Sequence, residues 1–490
     1  MGLNFNLNPR GLLFARSWRD LFSLDLRVLG IFRIVLASIL IFDNVDRLRF
    51  VRAFFSDFGI WPRDVATAEL RDSLHWSLHF ILNHAWFQGL LLVAALVFAC
   101  GLLVGYRTRW CMILLWVLEV SIQNRNGIIL QGGDVYLRIL MFWSMFLPLG
   151  DRYSLDSKHS TSSANSNQHL SLPGAFLLIQ IAVLYASSAY LKDGIEWRYE
   201  ASAVQYALML NQFATPFGQW LSQQVELTQI LTIVTWHFEA WVWLLMFMPV
   251  FFIPLRLLAF LGIAGMHAGF ALTMNLGLFP YICILGSLLV LSPAIINGFF
   301  SSADSEETQL AREHARQSLF RTMMLGILSI VFLCSMYRLV LVTAKKRLPE
   351  IAAVETITGL LRLDQRWDMF APFPLKEDGW FRIPGTLRDG TAYDVYHQVE
   401  AEPSLEAPSS LSDAYPNERW RKYLMNIWLT KYAWHRNHYA RYLCRSTNER
   451  LSYDRWLVSF SIYYAVTRND IRDSGEKTYE FVKLWDHRCN

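Results

Sequence analysis

Charge is scarce in this 490-residue sequence: 18% of the residues are Asp, Glu, Lys or Arg, against about a quarter in ordinary soluble domains. The net charge of +4 is small and spread along the chain, which excludes the concentrated basic face of a nucleic-acid binder. Cysteine is sparse too, six residues with no CxxC or CxxH spacing; this argues against structural zinc and dithiol redox chemistry, and no metal is expected. Four of the six (Cys100, Cys111, Cys283, Cys334) fall in apolar runs, where they act as small hydrophobes, and Cys444 and Cys489 fall in the polar C-terminal part. Walker, GxSxG, HExxH and GxGxxG patterns are missing at useful positions, so ATP use, serine hydrolysis, zinc proteolysis and a dinucleotide fold are unsupported. The opening stretch lacks the basic-then-apolar layout of a cleaved signal. The first apolar helix is therefore expected to direct insertion.

What the sequence has in abundance is apolar and aromatic surface: 53% hydrophobic residues, with 33 Phe, 20 Tyr and 19 Trp. A membrane-spanning helix needs about 20 mostly apolar residues. Nine such stretches are predicted, near 27–45, 86–105, 108–124, 133–149, 173–192, 228–251, 255–274, 277–295 and 320–343. The expected fold is a polytopic all-α membrane bundle over 1–345, followed by a small extramembrane α+β domain over 346–490. RFVRAFFSDFGIWPRD and HWSLHFILNHAW, between the first two stretches, mix aromatic and basic residues as interfacial helices do. The Ser/Asn-rich run 157–171 reads as a loop and the polar run 301–318 as a solvated helix or linker.

Beyond KKR at 345–347 the pattern changes to short strand-like runs, with DG at 378–379 and at 389–390 as turn signals. An amphipathic helical stretch and the strand-like WLVSFSIYYAVTR follow. Lys and Arg are nearly balanced between the two sides of a nine-helix topology, so charge does not set orientation.

Ionisable residues inside apolar helices cost about 2.5–3.5 kcal/mol each even on permissive scales and need a partner or a function. Eight stand out: Arg33, Glu119, Asp134, Arg138, Lys192, His237, Glu239 and His267. Asp134 and Arg138 are four apart and are expected to pair on one helix face. Arg33 and Glu119, on different helices, are expected to neutralise one another or to meet a lipid headgroup. His237 and Glu239 point to different faces, and either could reach a cavity. Lys192 ends a helix with Ser188 and Tyr185 four and seven residues back on its face. It either snorkels to the headgroups or, partly desolvated in a cavity, serves as a base. GLLVG at 101–105 and GIAGMHAG at 262–269 are expected to permit close helix packing.

Several segments, in order along most of 27–395, resemble the horizontally transferred transmembrane (HTTM) domain family, which includes the vitamin K-dependent gamma-carboxylases. They are LRVLGIFRIVLA, FFSDFGIWPRD, GYRTR, GGDVYLRILMFWSMFLPLGDRYSLD, YASSAYLKDGIEW, MHAGFALTMNLGLFPYI, RWDMFAPFP and DGWFRIPGTLRDG. ERWRKYLMNIW and HYARYLCR extend the likeness as features of bacterial members. The resemblance implies a lyase-class bundle using reduced vitamin K or another lipid quinone. Lys192, five residues before Trp197, matches the family's base, and His267 opens a matching segment that runs through Asn275. His267 is then expected to be catalytic with Lys192, and Glu239, His237, Trp197 and Asn275 to line the cavity.

Two departures weigh against glutamate carboxylation. Asp134 stands where animal carboxylases have a His/Asn-rich stretch, and the tail is shorter than their lumenal domain. The alternative is a non-enzymatic scaffold binding membrane lipid or a protein partner. The resemblance also implies a cytoplasmic N-terminus, with the tail on the far side of a bacterial cytoplasmic membrane or an endomembrane.

Overall fold

The computed structural model describes residues 18–71, 74–159, 167–299, 319–344, 348–408, 410–472 and 478–489. The opening stretch 1–17, residues 160–166 of the Ser/Asn-rich run, the polar run 301–318 and the KKR break lie outside the described residues. Each of the nine predicted stretches is helical: α1 (Leu26–Arg49), α2 (Ala85–Val104), α3 (Thr108–Arg125), α4 (Gly132–Ser144), α5 (Leu172–Leu191), α6 (Val225–Phe247), α7 (Phe252–Thr273), α8 (Phe279–Leu288) and α9 (Leu319–Thr343). Six of them, α1, α2, α5, α6, α7 and α9, are long and apolar enough to cross a membrane, so the chain is a multi-pass membrane protein. The other three fall short of the nine expected spans. Helix α4 has 13 residues and α8 has 10, while α3 carries Glu119, Gln123, Asn124 and Arg125 in its second half.

Local chemistry sets the helix ends. Asp25 caps α1 by accepting from the amides of Arg27 and Val28, and its short strand β1 (Leu24–Asp25) pairs with β2 (Gln168–His169). At Gly105, with φ +70°, α2 turns over, and a Cβ there would press on Ser154 and Arg33. Of the GLLVG pair, then, Gly101 packs against Cys111 of α3 while Gly105 makes the turn. Arg33 fills the corner, donating to the carbonyls of Leu102, Leu103, Leu149 and Tyr153 at 2.5–3.2 Å. It ties the end of α2 to the 149–153 loop and does not pair with Glu119.

The expected Asp134–Arg138 pair is also absent, because the two side chains serve different neighbours. Asp134 Oδ1 lies 3.2 Å from Arg47 and 3.0 Å from Arg419, and Glu119 is held at 3.0 Å by Arg47. Arg138 instead donates to the carbonyls of Arg362 and Asp364 and to the Asp364 carboxylate. Segment 361–369 is thereby drawn into the bundle, where Leu363 and Trp367 join its core and Gln365 bonds Gln180. Although the composition breaks at 345–347, helix α10 (Ala352–Leu360) and this segment pack with the bundle, and the sheet domain begins only at Glu377.

That domain is built on one long strand. β6 (Leu457–Arg468) pairs along one edge with β7 (Glu480–Arg488). Its other edge pairs with β3 (Glu377–Arg382) and β4 (Pro384–Leu387), which run end to end, and β5 (Ala392–Asp394) flanks β4. The DG at 389–390 makes the β4–β5 turn, with Gly390 at φ +89°. The DG at 378–379 does not turn. Gly379 sits inside β3 because a Cβ would run into the Ala465 carbonyl, and Asp378 reaches out to accept from the amides of Asn211 and Gln212.

Helices α11 (Glu418–Trp428) and α12 (His435–Asn448) complete the domain, and the Cys444–Cys489 disulfide ties α12 to the end of β7. Opening a 45-residue loop by Cys444→Ser is expected to cost about 3–4 kcal/mol. Chemical denaturation of the purified protein should show the drop, and adding reductant should reproduce it in the wild type.

The first aromatic segment after α1 folds inward, whereas Ile81 and Trp86 of the second are exposed. Phe54, Phe55 and Trp61 are buried and share a core with α11 and α12. Trp61 stacks on His435 at 4.2 Å, and Phe54 lies 4.7 Å from Trp420. They form a floor on which the sheet domain sits, at the opposite end of α1 from its Asp25 cap.

Candidate functional site

Helix α5 ends at Lys192, whose backbone leaves the helical region at ψ 68°. The chain then turns through Asp193 and Gly194. Gly194 donates to the Pro372 carbonyl at 3.0 Å, and a Cβ there would lie 2.6 Å from that oxygen, so this turn needs glycine. The RWDMFAPFP segment is held against the end of α5 by this contact and by a 2.8 Å bond from Trp197 Nε1 to the Phe370 carbonyl.

With the backbone so placed, Lys192 points inward. It is 4% exposed, which sets aside snorkelling. Its Nζ forms an ion pair with Glu239 of α6, donates to Ser188 Oγ at 3.1 Å and lies 4.9 Å from the centre of the Trp197 ring. One turn deeper, Tyr185 OH is 3.1 Å from His267 Nε2 of α7. His267 is buried, and its Nδ1 has no hydrogen-bond partner among the described residues.

These groups share one cavity of about 940 Å³ whose walls are mostly Phe, Leu and Met side chains from α5, α6, α7 and the 366–375 segment. That volume lies within the range of sites for drug-sized ligands. Lys192, Glu239, His267 and Trp197 all line it, bringing four of the expected residues together. His237 does not belong to it: on the outer face of α6 it is exposed, and its Nδ1–H donates to the Ile233 carbonyl at 2.8 Å. Asn275 is also outside. It is exposed beside a separate, smaller cavity, where its carbonyl accepts from Arg421.

No family model, curated protein or solved structure matches the chain. The site is therefore read from its own geometry. An ion pair walled by hydrocarbon can take a proton on the carboxylate and hold a new anion with the ammonium, whose attraction for that anion is stronger than in water. The His267 imidazole also lines the cavity, and its Tyr185 bond fixes the orientation of the ring.

Sequence reasoning missed the cavity's other polar end. Lys422 of α11 lines it beside Asp368 and Glu418. Burial pulls the Lys422 ammonium below its ordinary range, against the opposing pull of Asp368 and Asp134. Lys422 falls with Glu418 and Asn426 on the polar face of α11, a placement that reads as solvent-facing and carries no signal of a cavity. The glycines of GIAGMHAG were read as packing residues. Gly262 is one, whereas Gly265 and Gly269 line the cavity and face empty space.

Proposed function

We propose that the chain is a gamma-carboxylase-like membrane enzyme of the HTTM type that oxygenates a reduced lipid quinone, using the Lys192–Glu239 pair as its base. The observation that carries this is the burial of that pair, with His267, in the wall of a large apolar cavity inside a membrane bundle. The aromatic and aliphatic walls suit a naphthoquinone ring. Glu239 accepts the proton of a ring hydroxyl, the Lys192 ammonium stabilises the oxyanion formed, and the His267 ring lines the cavity beside them. Molecular oxygen is the oxidant. The hydroquinone loses two hydrogens and gains one oxygen atom as an epoxide, and the second oxygen atom leaves as water.

A scaffold that only binds lipid or a protein partner would need no ion pair facing a cavity, which is why the enzymatic reading is preferred. Glutamate carboxylation is not part of the proposal. In the orientation that goes with it, the start of α1 faces the cytoplasm and the sheet domain faces the opposite, oxidising side. The Cys444–Cys489 disulfide supports this, since such bonds persist mainly in oxidising compartments. The test is turnover by purified protein in lipid nanodiscs with a chemically reduced naphthoquinone. Epoxide, measured by chromatography, should accumulate one for one with oxygen consumed. Oxygen uptake at the rate of protein-free discs, with no epoxide, would reject the activity.

A further inference from the structure

Midway along their lengths α6 and α7 are packed together. The Phe238 ring lies against Gly262, and a Cβ there would run into it. Further along α7 there is open space beside two more glycines. A Cβ at Gly265 or Gly269 would meet nothing within 4 Å, and both residues line the cavity. The two helices therefore enclose a wedge that widens away from Phe238.

The rims of the wedge are Val234 on α6 and Leu272 on α7. Both line the cavity, yet they are 56% and 65% exposed. Because both helices are long and apolar enough to cross a membrane, this opening faces hydrocarbon. Inside it, Lys192, Glu239 and His267 form the polar end of the cavity.

Resting on the site reading above, we propose that the wedge is a lateral portal holding the hydrocarbon tail of a single-chain membrane lipid, whose polar head meets Lys192, Glu239 and His267. A tail passing from bilayer to portal exchanges one apolar environment for another at little cost. The head then supplies affinity and the glycine-lined lane supplies selectivity, since any bulky side chain at 265 or 269 occupies the lane. Water-soluble ligands of the same head chemistry do not use the lane and are indifferent to it.

The test is binding to the full chain in nanodiscs of three probes: a naphthoquinone with a four-isoprene tail, the same head with only a methyl group, and a four-isoprene alcohol with no quinone head. Gly265→Phe should weaken both tailed probes by about tenfold or more while leaving the tailless quinone within about twofold. Gly265→Ala should change none of them, and Gly269→Phe should repeat the Gly265→Phe pattern if that variant melts early. The portal is overturned if the Phe variants bind tailed probes like the wild type, if they weaken the tailless quinone equally, or if the wild type binds neither tailed probe. Binding of the alcohol that Gly265→Phe abolishes, with no binding of either quinone, would support the portal while removing the quinone head from the proposed function.

Discussion

Replacing Lys192 by Met is expected to cut quinone oxygenation by about 10²–10⁴-fold and to lower stability by about 3–5 kcal/mol. The two losses have different causes. Activity falls because the ammonium that would hold the anion is gone. Stability falls because Glu239 is left as an unpaired carboxylate in the cavity wall, with Ser188 Oγ also losing its donor. The double variant Lys192→Met with Glu239→Gln removes both charges together, which for a buried pair is often nearly neutral. It should regain most of the lost stability and none of the activity. Thermal melting and epoxide formation on the same preparations separate the effects. A Lys192→Met protein with wild-type turnover would leave the pair a purely structural one.

Arg419→Met is expected to loosen the sheet domain from the bundle at a cost of about 3–5 kcal/mol. Arg419 reaches from α11 into the bundle, 2.6 Å from Asp43 and 3.0 Å from Asp134, and Arg47 bridges Asp43, Asp134 and Glu119 from below. Two guanidinium groups thus serve three buried carboxylates. Burial alone would pull Arg419 down, but Asp134 and Asp43 hold its guanidinium above the ordinary range, so it stays charged. Removing it leaves three carboxylates to share Arg47. The expected readouts are a lower melting temperature and faster proteolysis between residues 344 and 377. Adding Asp134→Asn to Arg419→Met should recover part of both. Because the network is buried, high salt should not imitate the variant. An unchanged melting temperature would show that the aromatic floor alone holds the domain.

How far the sequence foretold these features depended on whether the cause was local. Long apolar runs located all nine helices, because hydropathy over twenty residues reports burial in lipid or protein directly. It did not report length: α4 stops at Ser144, short of the expected 149, and α8 spans ten residues, since their ends are set by neighbours and not by composition. Lys192, Glu239 and His267 stood out as ionisable groups in apolar helices. Their partners did not, because 47 residues separate Lys192 from Glu239 and 82 separate Tyr185 from His267.

Helical spacing even misdirected the reading of Asp134 and Arg138. An i,i+4 pair is favoured only when no stronger partner arrives, and here Arg419 and the 362–364 segment both do. Gly379 shows the same limit in the tail. Asp-Gly signals a turn by backbone freedom, but at this site the glycine is required for close approach to a neighbouring strand. The Cys444–Cys489 bond left no spacing signal, its two ends meeting only once β7 has folded back beside α12.

The aromatic floor also bears on how the protein is made. Phe54 and Trp61 leave the ribosome hundreds of residues before α11, α12 and the strands that cover them. At usual synthesis rates that interval is on the order of tens of seconds. Throughout it the nascent bundle exposes a sticky aromatic patch beside the membrane surface. Truncation just after α9 should therefore yield an inserted but aggregating product, and the sheet domain expressed by itself, with Trp420 and His435 uncovered, should be equally insoluble. Each half acts as the folding template of the other.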